Sequence, residues 1–325
     1  TINGWTFYNM AGLTTIDTSA NSNFIMENGM LLTSNRATVY WIPTNLTEVV
    51  VPDGVKTLYA ESMLQSKATY LSIPASLTTI SSGFSTVLTE IDVRPGNTSF
   101  KSIDGNLYTA NGKTLIKYLK NEATFNVPDG VTNFQRYCMQ GQTSVTTINL
   151  PDSFTTLNGW GFQGATGLKS LIITKGVKSL SNSSFHSAGL TSISIVSENP
   201  YFQLIDGTYI VTKSDGGKTL QAVFGSKTTF TIPSTVTTIA GSAFYAKSAM
   251  TSIVIPEGVT TIGNSFDACS NLTDVTIPST VTSIGSSCFS RCYKLSNITI
   301  NKASGSINNS PWQCPYGAKA ITWKK

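Results

Sequence analysis

The chain has 325 residues and a net charge of +5, and only 12% of its residues are charged. Lys and Arg are scattered without a basic stripe, and no apolar stretch approaches the roughly 18 residues of a membrane span. We therefore expect no nucleic-acid partner and no membrane insertion, and the many Ser and Thr residues in polar positions favour a protein that works outside the cell.

A repeated pattern runs through almost the whole chain. Residues 1–19 match the second half of a later copy and predict a partial first coil. Because the chain starts in mid-repeat, we expect a signal segment upstream of the visible chain. We expect one domain, 1–325, in which short strands joined by Asn/Gly turns predict three β-hairpin inserts, at residues 20–48, 97–124 and 199–229.

The clearest copies are MTSIVIPEGVTTIGNSFDACS and NLTDVTIPSTVTSIGSSCFSRCY, which begin at Met250 and Asn271. Their prolines, Pro256 and Pro278, are 22 residues apart, and Pro233 precedes them by 23. In each copy L-x-x-I-x-I ends in a two-residue alternation, which predicts a half-buried strand that Pro ends because it cannot donate to a ladder. The V-T-T-I segment predicts a shorter extended stretch, and the small residues before Phe leave room for one helical or 3₁₀ turn.

A single coil cannot bury its own apolar face, so the coils must stack. In the stack, the Phe residues of successive corners lie over one another, Phe266 over Phe289. We predict a mainly β fold: a curved, right-handed solenoid with one long parallel β-sheet of twelve strands, short 3₁₀ or helical corners and three β-hairpin inserts. Residues 302–325 predict a C-terminal cap in which Trp312 and Trp323 cover the last coil.

The sequence gives little sign of a catalytic or metal site. Five cysteines without a C-x-x-C pair argue against a zinc site and against a full disulfide framework. Cys269 and Cys292 occupy the same place in successive copies and should lie one coil apart, either as buried apolar residues or as a strained disulfide. His186, the only histidine, has no obvious orienting partner nearby. We therefore expect no catalytic residue, no metal and no cofactor.

The copies AFYAKSAMTSIVIPEGVTTIG and SFDACSNLTDVTIPSTVTSIG closely resemble the BspA-like leucine-rich repeat. The inserts containing I-D-G are similar to hairpin units that such proteins place between blocks of repeats, and the resemblance extends from Ile2 to Asn301. It implies a leucine-rich repeat solenoid. It also implies a bacterial surface or secreted protein, because the family's members are mostly of that kind, many are linked to adhesion and host contact, and they share no enzymatic activity.

The open face of the predicted sheet is the candidate binding surface. Residues between the inward Leu and Ile positions point outward, as Tyr70 and Ser72 do on one strand. These positions hold hydroxyls and a few carboxylates but no Lys or Arg, so a polyanionic ligand is not expected. The face is either a solvated surface or a broad contact area with Tyr70 as anchor. The candidate ligand contacts are Tyr70, Glu90, Asp92, Asn149, Ile172, Asp274 and Asn297.

Three functions are compatible with the sequence. The first is a non-enzymatic, monomeric adhesion module, secreted or at the cell surface, that binds protein or glycan, including host molecules. It would bind through the open sheet face or through the hairpin tips, which include Tyr108, Tyr201 and Tyr209. The second is a structural spacer that projects another domain from the cell envelope. The third, a remote alternative, is a glycan-active enzyme that uses Glu90 with Asp92.

Overall fold

The computed structural model describes the chain except residues 1, 3–5, 8, 9, 11, 158, 186–188, 217, 309 and 325, and the side chains of residues 182 and 318. It contains two compact units, which are Thr1–Lys169 with Ser187–Gly189 and Ser170–His186 with Leu190–Lys325. The described residues form β-strands and short 3₁₀ turns, without an α-helix. The predicted mainly β fold with 3₁₀ corners is therefore confirmed.

Among its described residues, the first unit contains fifteen strands and one 3₁₀ turn, Ala60–Met63. Its strands are β1 (Phe24–Glu27), β2 (Met30–Thr33), β3 (Thr38–Trp41), β4 (Glu48–Val50), β5 (Thr57–Leu58), β6 (Tyr70–Ile73), β7 (Thr79–Ile80), β8 (Glu90–Val93), β9 (Phe100–Ile103), β10 (Asn106–Thr109), β11 (Thr114–Lys117), β12 (Thr124–Asn126), β13 (Asn133–Phe134), β14 (Thr147–Asn149) and β15 (Thr156–Leu157).

The part of the second unit that the structure describes contains fourteen strands and two 3₁₀ turns, Asn182–Phe185 and Gly317–Ala320. Its strands are β16 (Ser170–Ile173), β17 (Ser179–Leu180), β18 (Ser192–Ile195), β19 (Phe202–Ile205), β20 (Tyr209–Thr212), β21 (Thr219–Val223), β22 (Thr229–Thr231), β23 (Thr238–Ile239), β24 (Ser252–Val254), β25 (Thr261–Ile262), β26 (Asp274–Ile277), β27 (Ser283–Ile284), β28 (Asn297–Ile300) and β29 (Ile321–Trp323).

The strands predicted from L-x-x-I-x-I pair in parallel, but in blocks. In the first unit, β4 pairs with β6 and β6 with β8, while β12 pairs with β14. In the second unit, β16 pairs with β18, and β22, β24, β26 and β28 form a longer ladder. The expectation of one long parallel sheet is therefore wrong. An insert follows β8 and another follows β18, and the strand after each insert begins a new ladder.

The first of the twelve expected strands is also absent, because residues 13–17 form no strand. That segment is followed by the first insert, and the strand after this insert, β4, pairs with β6 and not with residues 13–17. At the other end of the chain the cap contributes a strand that the pattern did not predict. β29 pairs in parallel with β28 and extends the last ladder by one strand.

The V-T-T-I segments form a second set of parallel ladders, which includes β5 with β7 and β23 with β25. Each insert joins this set through its last strand, since β3 pairs in parallel with β5, β11 with β13 and β21 with β23. The two earlier strands of each insert are antiparallel, as in β1 with β2 and β9 with β10. Each insert is thus a three-stranded antiparallel unit fused to a parallel ladder.

Tight turns join the antiparallel strands. Asp104 and Gly105 both have positive φ, at 48° and 75°, and they are the two loop residues between β9 and β10. A two-residue hairpin loop of type I′ requires this conformation, which Asp-Gly and Asn-Gly adopt most readily. Asn28 and Gly29 do the same between β1 and β2, at 50° and 77°. The Asn/Gly turns recognised in the sequence therefore fix the hairpins.

A hydrogen-bonded Asn stands at the entrance of the second and third inserts. The side-chain amide of Asn199 donates to the carbonyls of Thr174 and Val177, and its oxygen accepts from the N–H groups of Tyr201 and Phe202. Asn97 makes the same four bonds, to the carbonyls of Pro74 and Leu77 and from the N–H groups of Ser99 and Phe100. In each case one Asn side chain thus links the preceding coil to the start of the first strand of the insert.

Stacked aromatic rings run through the core of the second unit. Phe266 is fully buried between Phe244 and Phe289, with ring centroids 5.1 and 5.7 Å away. Trp312 continues the row, 6.3 Å from Phe289, and has no exposed surface. Trp323 lies 6.5 Å from Trp312. The expected aromatic cap over the last coil is therefore present.

Candidate functional site

The outward face of β4, β6 and β8 gathers the most charge of any expected strand face. In register, Tyr70 lies between Glu48 and Glu90, and Asp92 lies two residues along β8 from Glu90. Glu48 and Glu90 are exposed, and Val50 is 48% exposed. We call these five residues, Glu48, Val50, Tyr70, Glu90 and Asp92, the acidic face.

Three carboxylates of the acidic face lie on strands without a Lys or Arg. Adjacent strands are about 4.8 Å apart, which places Glu48 and Glu90 about 10 Å apart on either side of Tyr70. The nearest arginine along the chain, Arg94, is turned to Asp53, with Nη1 and Oδ1 3.0 Å apart, and to the Val51 carbonyl. The face therefore presents negative charge around an aromatic ring.

Sequence reasoning found Tyr70, Glu90 and Asp92 but missed Glu48 and Val50. The signal was available, because the alternation that places Tyr70 and Glu90 outward on their strands also places Glu48 and Val50 outward. Ser72 was expected to point outward but is only 4% exposed. It lies between Val50 and Asp92, and its hydroxyl donates to the Asp92 carboxylate at 3.1 Å, so two larger side chains cover it.

Three other expected contacts form side-chain hydrogen bonds between neighbouring strands. Asn149 donates to the side-chain oxygen of Asn126 at 2.7 Å, and Asn297 donates to Asp274 Oδ1 at 2.8 Å. Hydrogen bonds from the Thr273 and Asn297 side chains lower the pKa of Asp274, which therefore stays ionised. These amides and this carboxylate stabilise the sheet surface and have less capacity left for a ligand.

Ile172 is the outlying apolar residue among the expected contacts. It is 55% exposed on β16, in register with Ser194 of β18. Val254 has a similar exposure, 52%, on β24. Single exposed apolar side chains are common on protein surfaces, so each of these residues by itself indicates no binding site.

The expected hairpin-tip tyrosines divide into two groups. Tyr201 is 40% exposed, but Tyr108 and Tyr209 are buried. Tyr108 lies on the central strand of its insert, four residues after Asp104 at the tip, and Tyr209 accepts a hydrogen bond from the Thr231 N–H at 3.2 Å. These two positions at the tips were therefore predicted wrongly. His186 lies outside the described residues.

The first unit contains an aromatic corner that was not predicted from the sequence. The guanidinium of Arg136 lies 4.6 Å from the ring centroid of Tyr137 and 5.0 Å from that of Trp160. Tyr137 and Trp160 have positive φ, at 64° and 72°, as does Ser242, at 65°. Because the small Ser242 also adopts this conformation, we attribute it to the corner backbone. The arginine and the two aromatic rings are what distinguish this corner.

Comparison with known sequences identifies the repeat. The family profile described as BspA type leucine rich repeat region, six copies, matches residues 1–87, 42–121, 113–204 and 223–316.

The chain belongs to the BspA-type leucine-rich repeat family.

Several solved structures are similar to this chain. A leucine rich cell surface protein from Faecalibacterium prausnitzii A2-165 is 19% identical, with a TM-score of 0.50, and the match covers 96% of this chain and 95% of that protein. The pneumococcal vaccine antigen PcpA is 15% identical over 86% of this chain and 82% of that one, with a TM-score of 0.48. A leucine-rich repeat protein from Eubacterium ventriosum ATCC 27560 is 18% identical over 85% and 76%, with a TM-score of 0.43. No curated protein matches the chain.

The corner cysteines of these BspA-type repeats are packing residues. Cys269 and Cys292 are free and buried, and their thiols donate to the carbonyls of Phe244 and Phe266, both at 3.1 Å. Burial raises the pKa of Cys292 to about 12 and also raises that of Cys269. Protonated, enclosed thiols are poor nucleophiles and poor metal ligands. Of the two interpretations left open, the buried apolar residue is confirmed.

Two further observations concern the described part of the chain. It contains no group of three or more His, Cys, Asp or Glu residues that could hold a metal ion. None of its helices has the length and apolar character needed to cross a membrane. Glu90 and Asp92, the pair considered for glycan hydrolysis, lie two residues apart on one strand, on an outward face.

Proposed function

We propose that this BspA-type repeat protein is a surface-exposed or secreted module that binds another protein through the acidic face. The observation that carries the proposal is the register that places Tyr70 between Glu48 and Glu90, with Val50 and Asp92 beside them. Family membership supports the proposal, and so does the cell-surface description of the similar Faecalibacterium prausnitzii protein.

The geometry of the acidic face suits a protein partner. Three parallel strands hold the five side chains on a hydrogen-bonded ladder, so little conformational entropy is lost when a partner docks. Tyr is enriched at interface hot spots, and Val50 adds exposed apolar area beside it. A solvated face that served only the fold would not need three carboxylates around an aromatic ring.

The charge of the face defines the partner's chemistry. Carboxylates without a neighbouring base on their strands attract a segment rich in Lys or Arg, and such attraction raises the association rate at low salt. At physiological ionic strength the Debye length is about 8 Å, so binding should weaken when salt is added. We therefore propose a basic, extended segment of an extracellular protein as the partner, with host-matrix proteins as the first candidates.

The test compares the wild-type chain with two variants. Immobilised chain is exposed to oligo-lysine, oligo-arginine and oligo-glutamate peptides and to a panel of extracellular-matrix proteins. We expect the basic peptides and at least one matrix protein to bind, and the double variant Glu48→Lys with Glu90→Lys to lose both. Glu257→Lys in the second unit is the matched control, because Glu257 is an exposed carboxylate that is not part of the acidic face.

Each result decides between the alternatives. Matrix-protein binding that survives in the double Lys variant would refute the acidic face as the binding surface. A chain that binds no protein, and whose double variant still supports cell attachment, would favour the structural spacer. Binding of glycans without binding of any protein would overturn the partner class. Protease treatment of intact producing cells tests the location, and a chain protected from the protease would contradict surface exposure.

A further inference from the structure

A polar cavity lies in the first unit, between the second insert and the strand that follows it. The cavity has a volume of about 170 Å³, and it lies between the Asp104 turn, the segment after β11 and strand β12. Asp104, Lys120 and Glu122 are exposed at its rim, and Tyr108 and Tyr118 are buried in its lining. We call this cavity the insert niche. Its size suits a single ring-sized polar molecule rather than a segment of folded protein.

Two tyrosine hydroxyls in the insert niche lack hydrogen-bond partners. Tyr108 has no exposed surface and Tyr118 is 1% exposed, and neither hydroxyl makes a hydrogen bond in the structure. The backbone N–H of Glu122 lies near the Tyr118 hydroxyl but outside hydrogen-bonding geometry. Buried polar groups are almost always paired with protein or with a bound molecule, so two unpaired hydroxyls in one cavity indicate a missing partner.

The fold does not require hydroxyls at these two positions. Leu32 of the first insert and Val211 of the third occupy the position that Tyr108 has in the second. Leu32 pairs with Val39, Val211 with Leu220 and Tyr108 with Leu115. Each of these three partners also pairs with the next strand of the parallel ladder. By the same register, Ile42 and Val223 correspond to Tyr118. All four counterparts are apolar and fully buried. The second insert thus carries polar atoms where the others use hydrocarbon.

In the third insert, the polar groups near the turn are paired by the chain itself. There the Tyr209 hydroxyl accepts from the Thr231 N–H at 3.2 Å, and Lys227 Nζ donates to Thr208 Oγ1 at 3.1 Å. The chain itself satisfies these polar groups. In the insert niche, by contrast, Asn106 is used to fix the backbone, since its oxygen accepts from the Leu119 N–H at 2.8 Å. This bond holds the cavity wall in place but gives neither tyrosine hydroxyl a hydrogen-bond partner.

The rim defines the class of ligand. Two carboxylates, Asp104 and Glu122, oppose an anion, and the ammonium of Lys120, 3.8 Å from Glu122 Oε1, leaves the rim only one net negative charge with which to attract a cation. A neutral molecule with several hydroxyls meets no repulsion, because each hydroxyl can donate to a carboxylate and accept from a tyrosine or an ammonium group. Burial raises the pKa of Tyr108, so its hydroxyl keeps the proton that it would donate.

We propose that the insert niche binds one neutral sugar ring, whose hydroxyl groups supply the hydrogen-bond partners that Tyr108 and Tyr118 lack. The ring lies against the two tyrosine hydroxyls, and its outer hydroxyls bond to Asp104 and Glu122 at the rim. This site is separate from the acidic face, and a terminal sugar of a larger glycan fits it as well as a free monosaccharide does.

The experiment is saturation-transfer NMR of the full chain with glucose, galactose, mannose, fucose and N-acetylglucosamine. At least one sugar should give transfer signals with the wild-type chain. Tyr108→Phe and Tyr118→Phe each remove one hydroxyl, and the affinity should fall by up to about tenfold for each. The double variant should show no signal but should melt at the wild-type temperature or above, since it removes two unpaired buried groups.

Two further variants complete the test. Tyr209→Phe, the matched control in the third insert, should keep sugar binding although it loses a paired hydroxyl. Asp104→Asn should weaken sugar binding while it keeps the turn, because Asn28 adopts the same positive φ in the first insert. The double Lys variant of the acidic face should bind sugar normally, so failure of the proposed function and failure of this inference remain distinguishable.

Three results would overturn the inference. The first is that no sugar binds to the wild-type chain. The second is that the double Phe variant binds sugar as the wild type does. The third is a sugar-soaked crystal structure in which ordered water alone bridges the two hydroxyls.

Discussion

Phe266→Ala tests the aromatic row that supports the second unit. Phe266 has no exposed surface, and its ring stacks on both Phe244 and Phe289, at 5.1 and 5.7 Å. Truncation of a buried Phe to Ala costs about 3–5 kcal/mol, which includes lost transfer energy and the cavity left behind. Ring pairs contribute roughly 0.5–1.5 kcal/mol beyond their buried area, and two are lost here, so we expect a loss of about 5 kcal/mol.

The loss is measured as the free energy of unfolding in urea, followed by circular dichroism, and as the melting temperature. At roughly 2–4 °C for each kcal/mol in a unit of this size, the melting temperature should fall by about 10–20 °C. Phe266→Leu keeps most of the volume and should cost about 1.5 kcal/mol. Tyr293→Ala, at a side chain that is 62% exposed, should change stability by less than about 0.5 kcal/mol.

The Leu and Ala variants together decide whether the reasoning is right. A loss below about 1 kcal/mol for Phe266→Ala would show that the surrounding coils collapse into the space, contrary to the close packing expected of a core. Equal losses for Leu and Ala would show that shape of the ring, rather than filled volume, determines stability at this corner.

Three further predictions follow from buried polar groups. Asn199→Ala removes four hydrogen bonds and should lower the free energy of unfolding by about 2–4 kcal/mol, measured in urea; a loss below about 1 kcal/mol would mean that water replaces the side chain. Burial lowers the pKa of Lys117 from 10.5 to about 8, so the unfolded chain binds more protons than the folded chain between these pH values. The stability of the wild type relative to Lys117→Met should therefore rise by about 3 kcal/mol from pH 8 to pH 10.5. A stability difference that does not change with pH would contradict this. All five cysteines are buried and free, so iodoacetamide at neutral pH should modify none in the folded chain and all five after denaturation, as read by mass spectrometry; labelling of a native thiol would show that the corners open.

Much of the candidate site could be predicted from side-chain alternation. Glu90 and Ile172 are outward because they alternate with inward residues along a strand, and this periodicity is a property of the extended backbone. The same rule failed for Ser72, because a small side chain between two larger ones becomes covered whatever its direction. Alternation predicts the direction of a side chain but not whether larger neighbouring side chains cover it.

The insert niche could not have been predicted in the same way. Its properties depend on which residues face each other across the insert, and the pairing of Tyr108 with Leu115 contains a register shift that no local pattern reveals. The missing partners of Tyr108 and Tyr118 are likewise visible only when all surrounding atoms are in place. A list of buried tyrosines in the sequence would not separate the paired Tyr209 from the unpaired Tyr108.

By itself, the sequence determined the repeat, most of the strand positions, the hairpin turns and the stacked Phe residues, because each depends on contacts within one coil or on the same position in the next. Only the tertiary structure decided where the parallel ladders end, that the cap adds β29, and which polar groups find partners. These features depend on the register between segments 20 or more residues apart, as in the hydrogen bonds of Asn199. A repeat period that all copies share does not reveal that register.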